Sequence, residues 1–333
     1  FLAFYMLMIT NKSTVYAQWV DVGKVYNEKH TNSSGEKYLD YTYSLYYDDD
    51  GKVTETEATM YYHWYSSSVP SSISVKYGDS YYTIPVVRVF GDSSMTISSL
   101  AIPGSVTEIN GFSECDKLVN ISLSNGLKKM HAFSGCSALT ELRIPDSVTE
   151  ISGFGDSDVL KRVVWPRGVS EIPSGFFRDY IKLEEVVIPQ GVTGIEDNIH
   201  NRDGAFQNCT SLKSVTFPST MKKIGSSAFE GDTELSEIKN LEVVKEIGAA
   251  AFRNCKCPES LTISAEKIGV NAFGNGEEES QPKSQLREVI FLSGVKTIER
   301  AAFYNRKTLK KVTLPEGLET IENSVFYNTG VEE

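Results

Sequence analysis

The stretch LKSVTFPSTMKKIGSSAF, residues 212–229, decides the fold, because its pattern returns along the chain. It reappears as LKKVTLPEGLETI at residues 309–321 and as LTELRIPDSVTEI at residues 139–151. The opening Leu-x-x-Val-x-Ile type of pattern alternates apolar with other residues, which predicts a strand with one buried face. A proline then ends the strand by removing a ladder donor. No unit of this size can bury its own apolar face, so the units must stack.

A recurring phenylalanine marks the period of the unit. Successive members are 21 to 23 residues apart, except for two longer steps of 29 and 30. The longer steps place insertions near residues 197–203 and 274–285, at turns, where a solenoid tolerates extra residues because each coil contacts only its neighbours. The members are Phe112, Phe133, Phe154, Phe177, Phe206, Phe229, Phe252, Phe273, Phe303 and Phe326.

The composition agrees with a folded β protein and excludes one class of partner. Of the 333 residues, 40% are hydrophobic and 23% charged, and 17 Tyr and 16 Phe suit strands. Lys and Arg total 33 against 44 Asp and Glu, which gives a net charge of −11. Most of such a surface repels a phosphate backbone, so we expect no nucleic-acid partner.

The repeat resembles the BspA-like leucine-rich-repeat family, whose units read Leu-x-x-Ile-x-Leu-Pro-x-x-Leu-x-x-Ile-Gly-x-x-Ala-Phe-x-x-Cys. The resemblance covers residues 97–333, with local departures at Gly111, at Asn240 and Leu241, and in the short unit that follows Cys255. It implies a mainly β, leucine-rich-repeat solenoid of 21–23-residue coils. The chain stops at residues 330–333, where another strand should begin, so we expect the C-terminal cap to be missing.

The residues before the repeat form two further predicted segments. Residues 1–17 combine an apolar run with a small-residue site at Val15-Tyr16-Ala17, and we predict the remnant of a signal peptide. The alternative is an apolar first strand, and the run of about ten residues is too short to span a membrane, which takes roughly 20. Residues 18–96 are predicted to form an N-terminal β-hairpin cap, with hairpins at residues 41–63 and 69–85, that shields the first coil.

No local motif of catalysis, metal binding or cofactor binding is found in the sequence. The Asp48-Asp49-Asp50-Gly51 run lacks the spacing of a calcium loop and is better explained as a solvated turn. The odd number of cysteines argues against a disulfide framework. Four of them recur at one position of the unit, which predicts buried thiols outside disulfides: Cys115, Cys136, Cys209 and Cys255.

Strand alternation predicts two columns of outward side chains on the sheet. Glu141 and Glu185 fall two coils apart, about 9–10 Å, at or beyond the widest carboxylate spacing of glycosidases, so we expect no enzyme. Within the columns, an apolar island is flanked by charged residues, and such a patch can mark an interface. The alternative is that β-branched residues simply favour strand there. The candidate partner-binding residues are Arg143, Arg162, Val164, Glu185 and Val187.

The resemblance implies a function that the periodicity alone does not show. Members of the family are often surface proteins that bind host or neighbouring-cell components. We therefore expect a secreted or cell-surface protein-recognition or adhesion module without cofactor or catalysis. Two alternatives stay open: a carbohydrate-binding or carbohydrate-cleaving solenoid, and a structural stalk for a missing downstream domain. Exposed Trp would favour sugar, yet Trp165 falls at an inward strand position.

Overall fold

A computed structural model describes residues 19–26, 39–47, 53–62, 72–77, 80–91, 97–152, 159–197, 203–276 and 284–332. The described chain is built of β-strands, apart from one turn of 3-10 helix at Leu241–Val243. It contains no helix with the length and hydrophobicity that a membrane crossing requires. The predicted signal segment, residues 1–17, lies outside the described residues.

Five strands precede the first complete coil: β1 (Trp19–Tyr26), β2 (Leu39–Tyr47), β3 (Val53–Tyr62), β4 (Ser72–Tyr77) and β5 (Ser80–Gly91). β2 pairs antiparallel with β3, and β4 with β5, at the places where the sequence predicts hairpins. The turn at residues 48–51 is outside the described residues. β5 also pairs in parallel with β7 (Glu108–Gly111), so the repeat sheet already begins at Arg88. The domain boundary at residue 96 stays a prediction.

Each coil contributes one strand to each of two parallel sheets. Sheet one contains the Leu-x-x-Val-x-Ile strands: β6 (Ser99–Ile102), β8 (Asn120–Leu123), β10 (Glu141–Arg143), β12 (Arg162–Val164), β14 (Glu185–Val187), β16 (Ser214–Thr216), β18 (Glu237–Lys239), β20 (Ser260–Ile263), β22 (Glu288–Phe291) and β24 (Lys311–Thr313). Sheet two continues from β5 and β7 through β9 (Lys129–Ala132), β11 (Glu150–Ser152), β13 (Glu171–Ile172), β15 (Gly194–Ile195), β17 (Lys223–Ile224), β19 (Glu246–Ile247), β21 (Lys267–Ile268), β23 (Thr297–Ile298) and β25 (Thr320–Ile321).

The strand register confirms the predicted solenoid. Glu141 faces Arg162 and Arg162 faces Glu185, so neighbouring coils repeat every 21 or 23 residues. The inward residues Leu142, Val163 and Val186 are buried, as the alternation predicts. Strands β10 and β12 each end two residues before a proline, Pro145 and Pro166. The pattern of the sequence therefore sets both the length and the register of these strands.

A stack of phenylalanine rings fills the corner between sheet two and the following sheet-one strand. From Phe177 to Phe303 the successive ring centroids are 5.1–5.2 Å apart and the rings are nearly parallel. Phe112 and Phe133 stack less regularly, at 5.5 Å and 37°. The chain turns two residues after the ring in a left-handed conformation, which asparagine tolerates well, as at Asn208, Asn254 and Asn305.

The predicted thiol column lies in the core beside the rings. All five cysteines are described, buried and outside disulfides, which confirms the prediction for four of them and adds Cys257. The Cys136 and Cys209 thiols donate to the carbonyls of Phe112 and Phe177, the ring residues of the preceding coil. Burial raises the pKa of the Cys209 and Cys255 thiols well above their usual range. These thiols therefore serve as small packing groups.

Residues other than cysteine also occupy this column. Asp232 and Arg306 stand three residues after Phe229 and Phe303, at the position of the cysteines, and both are fully buried. The Arg306 guanidinium donates to the carbonyls of Phe273, Cys255 and Phe252, to the Ser284 hydroxyl and to the Cys257 thiol. Every N–H of this buried cation thus has an acceptor.

Neighbouring strands lie side by side without pairing at three places in the described residues. We call these breaks seams: seam A between β8 and β10, seam B between β11 and β13, and seam C between β18 and β20. In each case the inward residue of the strand before the seam is half-buried, whereas its equivalents in strands that pair with the following coil are buried; these residues are Ile121, Ile151 and Ile238. A seam therefore opens the core to the surface.

Candidate functional site

The structure brings the five candidate residues together on sheet one. Arg162 stands between Glu141 and Glu185 in one outward column, and Val164 faces Val187 in the next. Arg143 faces Val164 from the other side. Paired backbone strands hold this register, so the five side chains keep fixed relative positions. The structure thus places the five residues in the two neighbouring columns that the sequence predicts. Their part in binding stays a prediction.

The valine pair is the apolar centre of this patch. Val164 and Val187 are each half-buried, whereas Arg143 and Glu185 are exposed at the edges. An apolar centre within a charged border is the arrangement that protein interfaces use, because the centre loses water and the border keeps it. Trp165, in contrast, is completely buried, and its indole N–H donates to the Val169 carbonyl. This confirms its predicted inward position.

The Arg162 guanidinium already has a partner within the patch. Its Nε donates to Glu185 Oε2 at 2.9 Å, with both side chains about half exposed at 43% and 49%. The hydrogen bond to Glu185 and the charge of that carboxylate raise the pKa of Arg162, and Glu141 adds to the effect. Glu185 therefore takes part of the Arg162 donor fork.

The patch borders two depressions instead of one. A groove of about 420 Å³ follows seam A and is lined by Arg143, Arg162 and Val164 together with residues of β8. A second depression of about 330 Å³ is lined by Glu185, Val187 and Thr216, where β14 and β16 share a single paired position. The five candidates are thus contiguous on the sheet but divided between two concave sites.

Sequence reasoning missed the residues that the groove adds, notably Val119, Ile121 and Thr140. One signal was available: Val119 occupies the position after the first Leu of the unit, where other units carry Thr140, Lys161, Glu184 or Lys213. An exposed aliphatic residue at a polar position can indicate a contact surface. The seam itself has no sequence signal, because the strand pattern runs through it unchanged.

Many charged side chains on sheet two form ion pairs with side chains of the neighbouring coil. Lys129 bonds Glu150 at 2.9 Å, Lys223 lies 3.8 Å from Glu246, and Lys267 bonds Glu299 at 2.7 Å. These pairs join side chains of successive coils. Such exposed pairs contribute little stability, roughly 0–1 kcal/mol each. Their effect here is a face on which many charges already have partners, unlike the apolar patch on sheet one.

Two short motifs could suggest chemistry: the Cys255-Lys256-Cys257 stretch and the acidic run at residues 48–51. Cys255 and Cys257 are packed in the core against Arg306. The acidic run at residues 48–51 is outside the described part of the chain. Among the residues that the structure describes, no group of three or more His, Cys, Asp or Glu side chains could hold a metal ion.

Comparison with known families identifies the repeat. Residues 88–204 and 278–333, more than half of the chain, match the BspA type leucine rich repeat region, with 6 copies. The chain belongs to this family. The BspA-type match begins at Arg88, the residue at which β5 joins sheet two.

The BspA-type chain is also similar to solved structures. A leucine rich cell surface protein from Faecalibacterium prausnitzii is 23% identical, with 91% of this chain and 93% of that chain covered and a TM-score of 0.47. A leucine-rich repeat protein from Bacteroides ovatus is 18% identical, with coverage of 88% and 91% and a TM-score of 0.41. Among curated protein sequences, none matches this chain.

Proposed function

We propose that this chain is a secreted or cell-surface recognition module, without catalytic activity, that binds a protein of a host or neighbouring cell through sheet one. Membership of the BspA-type family supports a repeat-based binding surface. The surface location is further supported by the apolar run and small-residue site within residues 1–17.

The observation that carries the proposal is the patch around Val164 and Val187. The two valines are neighbours in register and half-buried, and Arg143 and the Arg162–Glu185 pair border them. Because strand pairing fixes these side chains beforehand, a partner that binds them loses little conformational entropy of the module. Arginine beside a desolvated apolar contact is also a common composition of binding hot spots.

The same geometry supports binding over hydrolysis. Glu141 and Glu185 stand two coils apart, about 9–10 Å, with Arg162 between them. Glu185 Oε2 accepts a hydrogen bond from Arg162 Nε. A pair of carboxylates with such separation and such a partner does not suit the acid and base of glycoside hydrolysis.

The test is a double substitution in the patch. A partner captured by cross-linking from the surface of intact cells is purified, and its Kd is measured for the unchanged chain and for Arg162→Ser with Val187→Ser. We expect at least about a tenfold weaker Kd, or 1.4 kcal/mol. The melting temperature should change little, because exposed ion pairs contribute little stability.

The matched control is Lys239→Ser with Thr262→Ser on the same sheet, away from the patch. Equal Kd values for the two double variants would show that binding does not use the patch. The insertions at residues 197–203 and 274–285 and the N-terminal cap would then be the next sites to test. Capture of a glycan in place of a protein would favour the carbohydrate-binding alternative.

A further inference from the structure

We infer that the groove at seam A docks an extended peptide segment of the partner in which an acidic side chain stands next to an aliphatic or aromatic one. The inference rests on the proposed function, because it names what sheet one recognises at this point. The groove lies between β8 and β10 and is lined by Val119, Ile121, Glu141, Arg143 and Val164, among others.

Backbone groups that lack strand pairing at seam A are the first part of the site. In paired coils the amide that starts the sheet-one strand donates to the coil before it, as Glu185 donates to the Lys161 carbonyl and Glu237 to the Lys213 carbonyl, both at 3.1 Å. Within the described residues the equivalent bond from Glu141 to Val119 is missing, since β8 and β10 are not hydrogen bonded. The seam therefore presents a backbone N–H donor and a carbonyl acceptor to a ligand.

The apolar part of the site comes from β8. Ile121 is half-buried, although its equivalents Leu142 and Val163 are only 2% and 0% exposed. Val119 beside it is 45% exposed. Together with Val164 across the groove, these side chains form an aliphatic floor and wall that an apolar side chain of the ligand can cover, and covering them removes apolar surface from water.

Arg143 sets the charge preference of the site. The other strand cations of sheet one from β10 onward are engaged: Arg162 with Glu185, Lys239 with Glu237 and Lys311 with Glu288. Among the described residues Arg143 is exposed and forms no ion pair. Its planar donor fork is therefore available to a carboxylate, which it can hold through two hydrogen bonds.

The carboxylate of Glu141 repels an acidic ligand group, but its position in the groove limits this repulsion. It lies two residues from Arg143 in β10, about 7 Å along the strand, and in the column of Arg162, which it faces directly. The positive charge of Arg162 therefore stands beside Glu141. An acidic ligand group is best placed at the Arg143 end of the groove, next to Val164, which is the neighbour of Arg143 in the adjoining strand.

The other seams lack this combination. The depression at seam B is lined by Glu150, Glu171 and Glu196 and by His131, so it presents mainly carboxylates. At seam C the nearest strand cation, Lys239, is bonded to Glu237 within its own strand at 2.9 Å. An accessible apolar floor beside an available arginine occurs, in the described chain, at seam A.

The test selects peptides on the full chain. A phage-displayed library of random linear dodecapeptides is selected on the immobilised protein and, in parallel, on Arg143→Glu. We expect the unchanged chain to enrich Asp or Glu adjacent to Leu, Ile, Val or an aromatic residue, and the variant to enrich Lys or Arg in the place of the acid. A synthetic consensus peptide should bind Arg143→Glu at least tenfold and Val119→Ser at least threefold more weakly.

Matched controls separate this site from general charge effects and from the wider proposal. Lys239→Glu makes the same charge change elsewhere on sheet one and should leave the affinity of the consensus peptide within twofold. The inference is overturned if no peptide is enriched, or if the enriched peptides carry no acidic residue. It is also overturned if they bind the unchanged chain and Arg143→Glu equally well, or if a glycan array shows sugar binding that depends on Arg143. Binding of the cell-surface partner that still depends on Arg162 and Val187 would then leave the proposed function standing.

Discussion

Replacing Phe229 with alanine tests whether the ring stack holds the coils together. Phe229 is completely buried, its ring lies 5.1 Å from that of Phe206 and 5.2 Å from that of Phe252, and both pairs are parallel within 6°. Phe217 adds an edge contact at 6.1 Å. The substitution therefore removes one ring from the middle of a continuous stack and leaves a cavity between two coils.

The expected cost follows from area and contacts. A buried Phe side chain removes roughly 150–200 Å² from water, which at about 25 cal/mol per Å² gives about 4–5 kcal/mol. Buried Phe→Ala substitutions typically cost about 3–5 kcal/mol, and we expect about 4 kcal/mol here. Phe229→Leu retains most of the volume but loses the stacked contacts, so it should cost about 1–2 kcal/mol.

The matched control is Phe326→Ala at the last ring. Phe326 is half-buried and stacks on one neighbour, Phe303, at 5.8 Å. Because Phe326 is partly exposed and stacks on one ring, we expect a smaller cost of about 2 kcal/mol. Urea unfolding followed by circular dichroism gives the free energies, and hydrogen exchange with mass spectrometry gives their location.

Exchange should report where the loss is felt. Coils contact only their neighbours, so residues 203–257 should exchange faster in Phe229→Ala while residues 108–132 keep their protection. A cost below about 1 kcal/mol, or an equal loss of protection in both regions, would show that the ring column does not bind the coils locally.

Two further predictions concern buried polar and sulfur groups. All five cysteines should resist Ellman's reagent in the native protein and react in urea, because they are buried in the core. Rapid labelling of three or more thiols in the native protein would contradict this. Burial raises the pKa of Asp232 well above its usual range, against the opposing effect of a bond from the Cys209 amide. The unfolded chain therefore releases this proton from about pH 4 upward while the folded chain keeps it, so the carboxyl lowers stability as pH rises, by up to about 1.4 kcal/mol per pH unit. Urea midpoints at pH 4.5 and 7.5 should fall less in Asp232→Asn than in the unchanged chain, and equal falls would refute the assignment.

The parts of the fold that repeat could be predicted residue by residue. Alternation in residues 139–151 places Leu142 inward and Arg143 outward, and the register with Val164 follows because each coil copies the last. Asp232 and Arg306 could also have been found, since each stands three residues after a ring, where other units carry Cys.

The seams could not be predicted, because they depend on spacing between strands and not on the strand pattern. LVNISL at residues 118–123 reads like any other strand of the repeat, yet β8 does not pair with β10. The groove therefore needed the structure, although Val119 gave a partial sign of it. The same holds for the Arg162–Glu185 bond, where the columns place the charges in adjacent coils but side-chain geometry decides that they meet.

Seams A and B also have a mechanical consequence, because they lie on opposite sheets of successive coils. Among the described strands, the coil that carries β10 and β11 pairs with the coil before it through β9 and β11, and with the coil after it through β10 and β12. Coils that pair with each neighbour through both sheets resist bending. This coil pairs with each neighbour through one sheet, and through the opposite sheet on its other side, so it can bend at both junctions. We therefore expect tension or shear applied to the two ends of the stack to separate the strands first at this link, beside the groove of seam A.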